Sequence, residues 1–586
     1  MKDGVKDGVK DAAGATTGGG GRERRQGALR QGLARRLAPN GHLAIAAALK
    51  SGGITHVYSL PGNPMYATLG ACVDTGLTVI GCRSQFGALS AALAHNFQAG
   101  KLCAVAICSP SPGVTNCITS LSDAKSNHWP MLLIGGVVEP SQAQAAPAEA
   151  GGDQGGAMFQ SFGMFQNFDG ARAVAPCCKA VMQLRDRDGL FAGITRALEQ
   201  AQTEPCGPVF VEVGPTVLNA RHHDAPVALR HSKPAQPIGV SAQLDHAKRP
   251  VLILGEDLRW HSTLTPERRG ALQAVLEQLQ LPVLATDMAR GILPDGHRLS
   301  LFLAKDEALK NCDHLVLCGA DLDWRFGAGS ALGDQVTVAQ LAPRFDDLLA
   351  LLQAATPAPG RAGWVADLAQ AHQRGFAKLH QQGATAREAG RMNQLCVQLA
   401  RWVPEHAVTL LDSGLALSSG HNFWPVQQAF SRMTPGQNGT IGLGIPFALG
   451  SALQVQDHPH SQGRPVVALV GDVGFALAAS ELETAQRCMA KLVIVVADNG
   501  GINGRGFQDN WLAADSPDVL RYGAAVDYAK IAQGWGVRGI TARSQQDLQR
   551  AMAEALNAKG PTVISVPMGQ VFDVPQPKID GVRDGD

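Results

Sequence analysis

Gly471 to Gly501 reads GDVGFALAASELETAQRCMAKLVIVVADNGG, and it follows the apolar run PVVALV. Such a run has the composition of a strand buried on both faces, and it delivers Asp472 at its end. Small residues, among them Val473 and Gly474, lead into a helix around Glu481–Met489. A second apolar run, KLVIVVA, then delivers Asp498, Asn499, Gly500 and Gly501. Parallel strands joined through a helix end at the same sheet edge, where ligands of α/β folds bind. The edge would carry the Asp472 carboxylate, the Asn499 amide oxygen and the Gly501 carbonyl, three hard oxygen ligands. Mg2+ takes such ligands in an octahedron completed by phosphate oxygens and water. The helix start behind the loop offers N–H groups to the same anion. The spacing alone fits a plain βαβ unit equally well, because Gly-Asp and Asn-Gly are ordinary turn pairs.

The same pattern recurs along the chain. THVYSL, LTVIGC, LCAVAICS, PMLLIGG and GPVFVEVG form a first module, RPVLILGED, LPVLATD and DHLVLCGADL a second, and AVTLLDSG, PVVALVGD, KLVIVVADNG and PTVISVP a third. Val/Ile/Leu runs separated by helical stretches predict three doubly wound α/β domains with parallel sheets. The expected boundaries are residues 40–215, 216–385 and 386–570, with a disordered tail at 1–39 and a second tail at 571–586. The first and third modules share the order strand, loop, helix, strand over Ala104–Gly136 and Val466–Gly500, a weak internal repeat.

Composition narrows the partners. The 586 residues suffice for about three domains. The net charge of +1 gives no electrostatic reason for a nucleic-acid or membrane partner, so the expected partner is a small-molecule substrate. No apolar run approaches the length of a membrane span. The 12 cysteines contain no C-x-x-C pair, and Cys177 and Cys178 are adjacent. Reduced thiols and a cytoplasmic location are expected.

The Gly471–Gly501 stretch resembles the thiamin-diphosphate motif, which opens on Gly-Asp and closes on a paired amide. That resemblance implies that Asp472, Asn499 and the Gly501 carbonyl hold Mg2+ and the diphosphate, with Val473, Gly474 and the loop at Gly414 beside them. Val473 and Asp498 depart from the family's usual Gly and Asn without removing a ligand. NGTIGLGIPFALGSAL (Asn438–Leu453) resembles the loop that grips the aminopyrimidine. It implies that the Gly439 carbonyl meets the 4′-amino group and that Ile441 forces the bent cofactor conformation. SNHWPMLLIGG, GAMFQSFGMFQ (Gly156–Gln166), DMARGILPDGH and GADLDWRFGAG are similar to segments of 2-hydroxyacyl-CoA lyases and oxalyl-CoA decarboxylases. FAD or ADP in the central domain stays open, since no phosphate-binding glycine fingerprint is present there. In this superfamily the cofactor lies between the first domain of one subunit and the third of another, which implies a homodimer or homotetramer.

Relatives place a glutamate of the first domain on the pyrimidine N1′. Aligned on CRSQFGA, that position is Gln85, and no glutamate occurs between Glu23 and Glu139. An amide can donate or accept a hydrogen bond but cannot exchange a proton. A positioned acid–base group is typically worth ~10²–10⁴-fold in rate. Three readings stay open: an enzyme that tolerates the amide, a specialised enzyme in which water or His128 moves protons, and a non-catalytic cofactor-binding protein. His421 is a further candidate, and Asn503 stands where the lyases often have tyrosine. The resemblance implies a thiamin-diphosphate- and Mg2+-dependent carbon–carbon lyase or decarboxylase acting on a 2-hydroxyacyl-CoA or 2-oxo acid. An acetolactate-synthase-like carboligase is the alternative.

Overall fold

The computed structural model describes residues 40–137, 168–186, 189–222, 244–261, 263–333, 335–385, 387–458, 463–502 and 526–572. Three parallel sheets carry the chain. The first holds β1 (His56–Ser59), β2 (Thr78–Gly81), β3 (Ala104–Cys108), β4 (Met131–Gly136), β5 (Ala180–Leu184) and β6 (Pro208–Val213) in the order β2-β1-β3-β4-β6-β5. The central sheet holds β7 (Pro250–Leu254), β8 (Val283–Ala285), β9 (His314–Cys318) and β10 (Thr337–Leu341) in the order β10-β9-β7-β8. The third holds β11 (Val408–Leu411), β12 (Arg432–Met433), β13 (Val466–Gly471), β14 (Val493–Asp498), β15 (Arg538–Thr541) and β16 (Thr562–Pro567) in the order β12-β11-β13-β14-β16-β15.

The first and third orders are the same permutation, so the weak sequence repeat is a repeat of topology. The strands absent from the sequence reading are β5, β10, β12 and β15. They are short, and each lies at a sheet edge. Edge strands need no continuous apolar run, and half-exposed segments such as RGIT do not supply one.

Seven helices position the site: α1 (Gly41–Ser51), α2 (Gln85–Ala99), α3 (Ile118–Ser126), α4 (Leu415–Phe423), α5 (Gly444–Asp457), α6 (Asp472–Ala478) and α7 (Glu481–Arg487). Ser84 caps α2 by accepting from Gly87 N, and Asn40 caps α1 by accepting from Leu43 N. Helices α2 and α5 occupy equivalent places in the two like domains, and they pack against each other. Both are buried almost all round, which fits their sequences QFGALSAALAHNFQA and GIPFALGSAL. Their backbones meet closely: a Cβ on Gly450 would lie 1.9 Å from the Ala91 carbonyl oxygen. This crossing fixes how the first and third domains sit in one chain. The GAMFQSFGMFQ stretch, Asn503, the first tail and residues 573–586 of the second lie outside the described residues, while Val571 and Phe572 are buried at the end of the third domain.

Candidate active site

The ends of β11, β13 and β14 open onto one pocket of ≈ 430 Å³, partly open to solvent. Its lining includes Gly414, Ile441, Asp472, Val473, Gly474, Asn499 and Gly501, so seven residues singled out from sequence converge there. The Asp472 side chain is buried, and its Oδ2 accepts from Gly500 N at 2.9 Å and Gly501 N at 2.7 Å. Its Oδ1 accepts from Val473 N at 2.8 Å. Burial pushes its carboxyl up to about 6 against these donors. Asn499 Oδ1 is buried and has no hydrogen-bond partner among the described residues. A buried amide oxygen left without a donor is costly and calls for a ligand, ion or water.

A residue that the sequence reading passed over organises the floor. Asp412, at the end of β11, is fully buried, and its carboxylate accepts from Ser413 N at 2.8 Å and from Gly442 N at 3.0 and 3.2 Å. A Cβ on Gly474 would lie 2.2 Å from its Oδ2, which is why only glycine fits there. One carboxylate thus ties the Gly414, Ile441 and Gly474 segments together. The signal for it was present as Asp-Ser-Gly at a strand end, the same grammar as Gly-Asp at β13.

Gly439 adopts a left-handed φ of 63°, and its carbonyl accepts from Ser413 Oγ at 2.7 Å, which leaves one lone pair. Ile441 is 41% exposed and lines the pocket. The loop that carries both is held from two other domains. Asp123 on α3 accepts from Asn438 Nδ2 at 2.9 Å and Thr440 Oγ1 at 2.6 Å. Asn127 donates to the Pro435 carbonyl and accepts from Gln437 N. From the central domain, Trp324 Nε1 donates to the Gln437 carbonyl at 2.7 Å. Asp123 is fully buried with Oδ2 unpartnered, and burial raises its carboxyl to about 6.

The turn at Gln85 is held by the reciprocal contact. Glu481, at the start of α7, is fully buried. It accepts from Arg83 N at 3.1 and 3.2 Å, Ser84 N at 2.9 Å and Ser84 Oγ at 3.0 Å. Gln85 itself is 8% exposed, and its Oε1 accepts from Asn116 Nδ2 at 3.1 Å. All the residues lining the pocket belong to the third domain, so Gln85 of the same chain is outside it.

His128 and His421 serve domain seams. His128 Nδ1 lies 2.8 Å from Asp257 Oδ2 of the central domain, and the hydrogen bond to Asp257 raises the imidazole above its ordinary value. His421 Nδ1 lies 2.7 Å from Asp287, and its ring meets the edge of Phe302. Neither lines the pocket.

Residues 39–162, 240–365 and 412–566 match, in that order, the N-terminal TPP binding, central and C-terminal TPP binding domains of the thiamine pyrophosphate enzymes. The chain belongs to the thiamine pyrophosphate enzyme family. It is 26% identical over 557 residues to oxalyl-CoA decarboxylase of Escherichia coli (strain K12), covering 89% of this chain and 93% of that one. It is 24% identical over 584 residues to 2-hydroxyacyl-CoA lyase of Arabidopsis thaliana, covering 90% and 95%. Its fold matches that of a thiamine diphosphate-dependent 4-hydroxybenzoylformate decarboxylase from Rhodococcus jostii RHA1, with a TM-score of 0.69 and 19% identity over 92% of this chain and 100% of that one.

As a thiamine pyrophosphate enzyme, of a group whose members are lyases, decarboxylases and carboligases, the chain can be tested for fit to the cofactor. The pocket passes on three counts. The unpartnered Asn499 oxygen beside the Asp472 carboxylate suits a hard cation. Helix α4 starts at the pocket after Gly414 with no side-chain cap, so its first N–H groups are free for an anion. Ile441 stands exposed at the lip where an apolar face of the ligand would cover it.

Proposed function

We propose that this chain is a Mg2+- and thiamin-diphosphate-dependent carbon–carbon lyase or decarboxylase acting on a 2-hydroxyacyl-CoA or 2-oxo acid. The observation that carries the reading is the Asp472–Asn499 pair at one pocket, with an amide oxygen that lacks a partner. Thiamin diphosphate, when bound, supplies a carbon nucleophile and electron sink next to a carbonyl. The chain supplies position. Asp472, Asn499 and the Gly501 carbonyl hold Mg2+, the α4 start holds the diphosphate, and Gly439 and Ile441 orient the pyrimidine. Asp412 and Asp123 keep those loops in register.

Gln85 takes the position that faces the pyrimidine N1′. On this reading a second copy brings its first domain to each pocket, in keeping with the absence of Gln85 from the residues that line the pocket of its own chain. The working unit is therefore a homodimer or homotetramer, and its place is the cytoplasm. Among the described residues, no helix is long and apolar enough to cross a membrane.

The test is a screen of CoA thioesters and free 2-oxo acids with thiamin diphosphate and Mg2+, read by exchange of the cofactor C2 proton for deuterium and by thermal protection. Protection by CoA thioesters, through mass action, supports the CoA class. Protection by free 2-oxo acids alone moves the reading to the carboligase. Exchange no faster than in free cofactor overturns the enzyme reading.

A further inference from the structure

Gln85 does not stand alone. Asn116, exposed at the end of the short helix Pro112–Thr115, donates its Nδ2 to Gln85 Oε1 at 3.1 Å. The rest of the Gln85 turn is fixed from several sides. Ser84 caps α2, Glu481 holds the Arg83 and Ser84 amides, and Cys117 Sγ lies 3.9 Å from the Gln85 carbonyl oxygen. The Gln85 side chain passes over the bare Cα of Gly113, where a Cβ would lie 3.6 Å from Gln85 Nε2. An amide has one accepting end and one donating end. With the oxygen engaged by Asn116, the end with no hydrogen bond among the described residues is Nε2 with its two N–H groups.

We propose that Asn116 is a positioning residue that pins Gln85 as a hydrogen-bond donor, so that the amide recognises an unprotonated ring nitrogen on the cofactor. This rests on the reading above that Gln85 faces N1′. A carboxylic acid at this place could donate in one protonation state and accept in the other. The pinned amide has no such freedom: protonating N1′ would set a donor against a donor. Turning Gln85 round would require Asn116 to turn as well, exchanging Asn116 from donor to acceptor. The pair therefore favours one protonation state of the ligand, and Asn116 decides which.

The choice of substitution follows. Asn116→Asp offers only acceptors, so it draws Gln85 Nε2 inward and turns Oε1 outward. Asn116→Ala removes the pin. The measurement is equilibrium binding of thiamin diphosphate with Mg2+ to the full-length protein, followed by tryptophan fluorescence between about pH 5 and pH 8. It is repeated with the analogue in which CH replaces N1′.

Measured relative to the CH analogue, which shares the titrations of Asp472 and of the diphosphate, the affinity of the natural protein for thiamin diphosphate should fall about three- to tenfold toward acid pH, the worth of about one net hydrogen bond. In Asn116→Asp the trend should reverse, and in Asn116→Ala it should flatten. With the CH analogue all three should share one pH profile. The same Asn116 substitutions in a Gln85→Ala background separate orientation from the added charge of Asp, and there they should have no effect. Three results overturn the proposal: Asp and Ala variants that behave alike, a reversal that persists without Gln85, or a natural protein that, by the same relative measure, binds more tightly at acid pH. Failure of the natural protein to bind thiamin diphosphate at any pH overturns the functional reading itself, and the proposal with it.

Discussion

Glu481→Ala should loosen the first domain from the third, and the size of the effect can be worked from the contacts. Glu481 is fully buried, and its carboxylate takes the Arg83 and Ser84 amides together with the Ser84 and Thr484 hydroxyls. The hydroxyls can re-aim; Ser84 Oγ keeps its bond from Gly87 N. The two amides cannot. Both bonds are only part-buried, so the cost of about 1–3 kcal/mol for a fully buried donor left without a partner sets an upper bound of about 2–6 kcal/mol for the two together. Water entering the vacated space and the relief of a buried charge offset part of this, leaving about 2–4 kcal/mol. Glu481→Gln should cost only about 1 kcal/mol. Its remaining oxygen serves Arg83, Ser84 N and Ser84 Oγ, and its amide nitrogen can donate to Thr484 Oγ1, now 2.8 Å from Glu481 Oε2. A three-domain chain is not expected to unfold in two states, so the readout is the midpoint of the transition that involves the first and third domains. At about 2–4 °C per kcal/mol for domains of this size, the Ala variant should lose about 4–16 °C and the Gln variant no more than about 4 °C. Equal shifts for the two variants, or a loss under about 2 °C for Ala, would refute the argument that these amides depend on the carboxylate.

Asp123 should make stability depend on pH. Burial raises its carboxyl from 3.8 to about 6, so the folded chain holds this proton more tightly than the unfolded chain. The contribution is complete below about pH 4 and is lost as pH rises through about 6, at most about 3 kcal/mol. Asp123→Asn keeps an acceptor for Asn438 and Thr440 and removes the titration, so urea midpoints of the two proteins should diverge in favour of the variant as pH rises from 4 to 7; parallel profiles would refute the assignment. The central domain should not take FAD or ADP at its sheet edge. Glu256 and Asp257 follow β7, Asp321 and Asp323 follow β9, three of these carboxylates are already paired with Arg325 or His128, and a Cβ on Gly255 would lie 1.8 Å from the Gly319 carbonyl oxygen, so the crevice between the strands is closed. Neither nucleotide should raise the melting temperature of the protein, and a rise of about 3 °C or more would count against this.

The sequence by itself determined the parallel α/β character, the three modules and the residues of one pocket. These are local properties. Apolar runs report strands buried on both faces, and Gly-Asp or Asp-Asn-Gly at a strand end reports a loop at the sheet edge. Asp472, Val473, Gly474, Asn499, Gly501, Gly414 and Ile441 were legible because each sits within a few residues of such a run, and parallel pairing brings equivalent strand ends together. Only the tertiary structure decided which carboxylates hold the site. Asp123 grips Asn438 and Thr440, and Glu481 grips Arg83 and Ser84, across hundreds of residues of chain. Nothing in the spacing of an isolated Asp on a helix encodes its partner. The partner is fixed by the crossing of α2 and α5 at Ala91 and Gly450, where two helices buried almost all round bring the Gln85 turn and the Gly439 loop each against a helix of the other domain. The same holds for Gln85. The sequence supplied an amide where a carboxylate was expected, and the fold supplied Asn116 to orient it, because a hydrogen bond between distant side chains depends on how the backbone packs and leaves no periodicity behind.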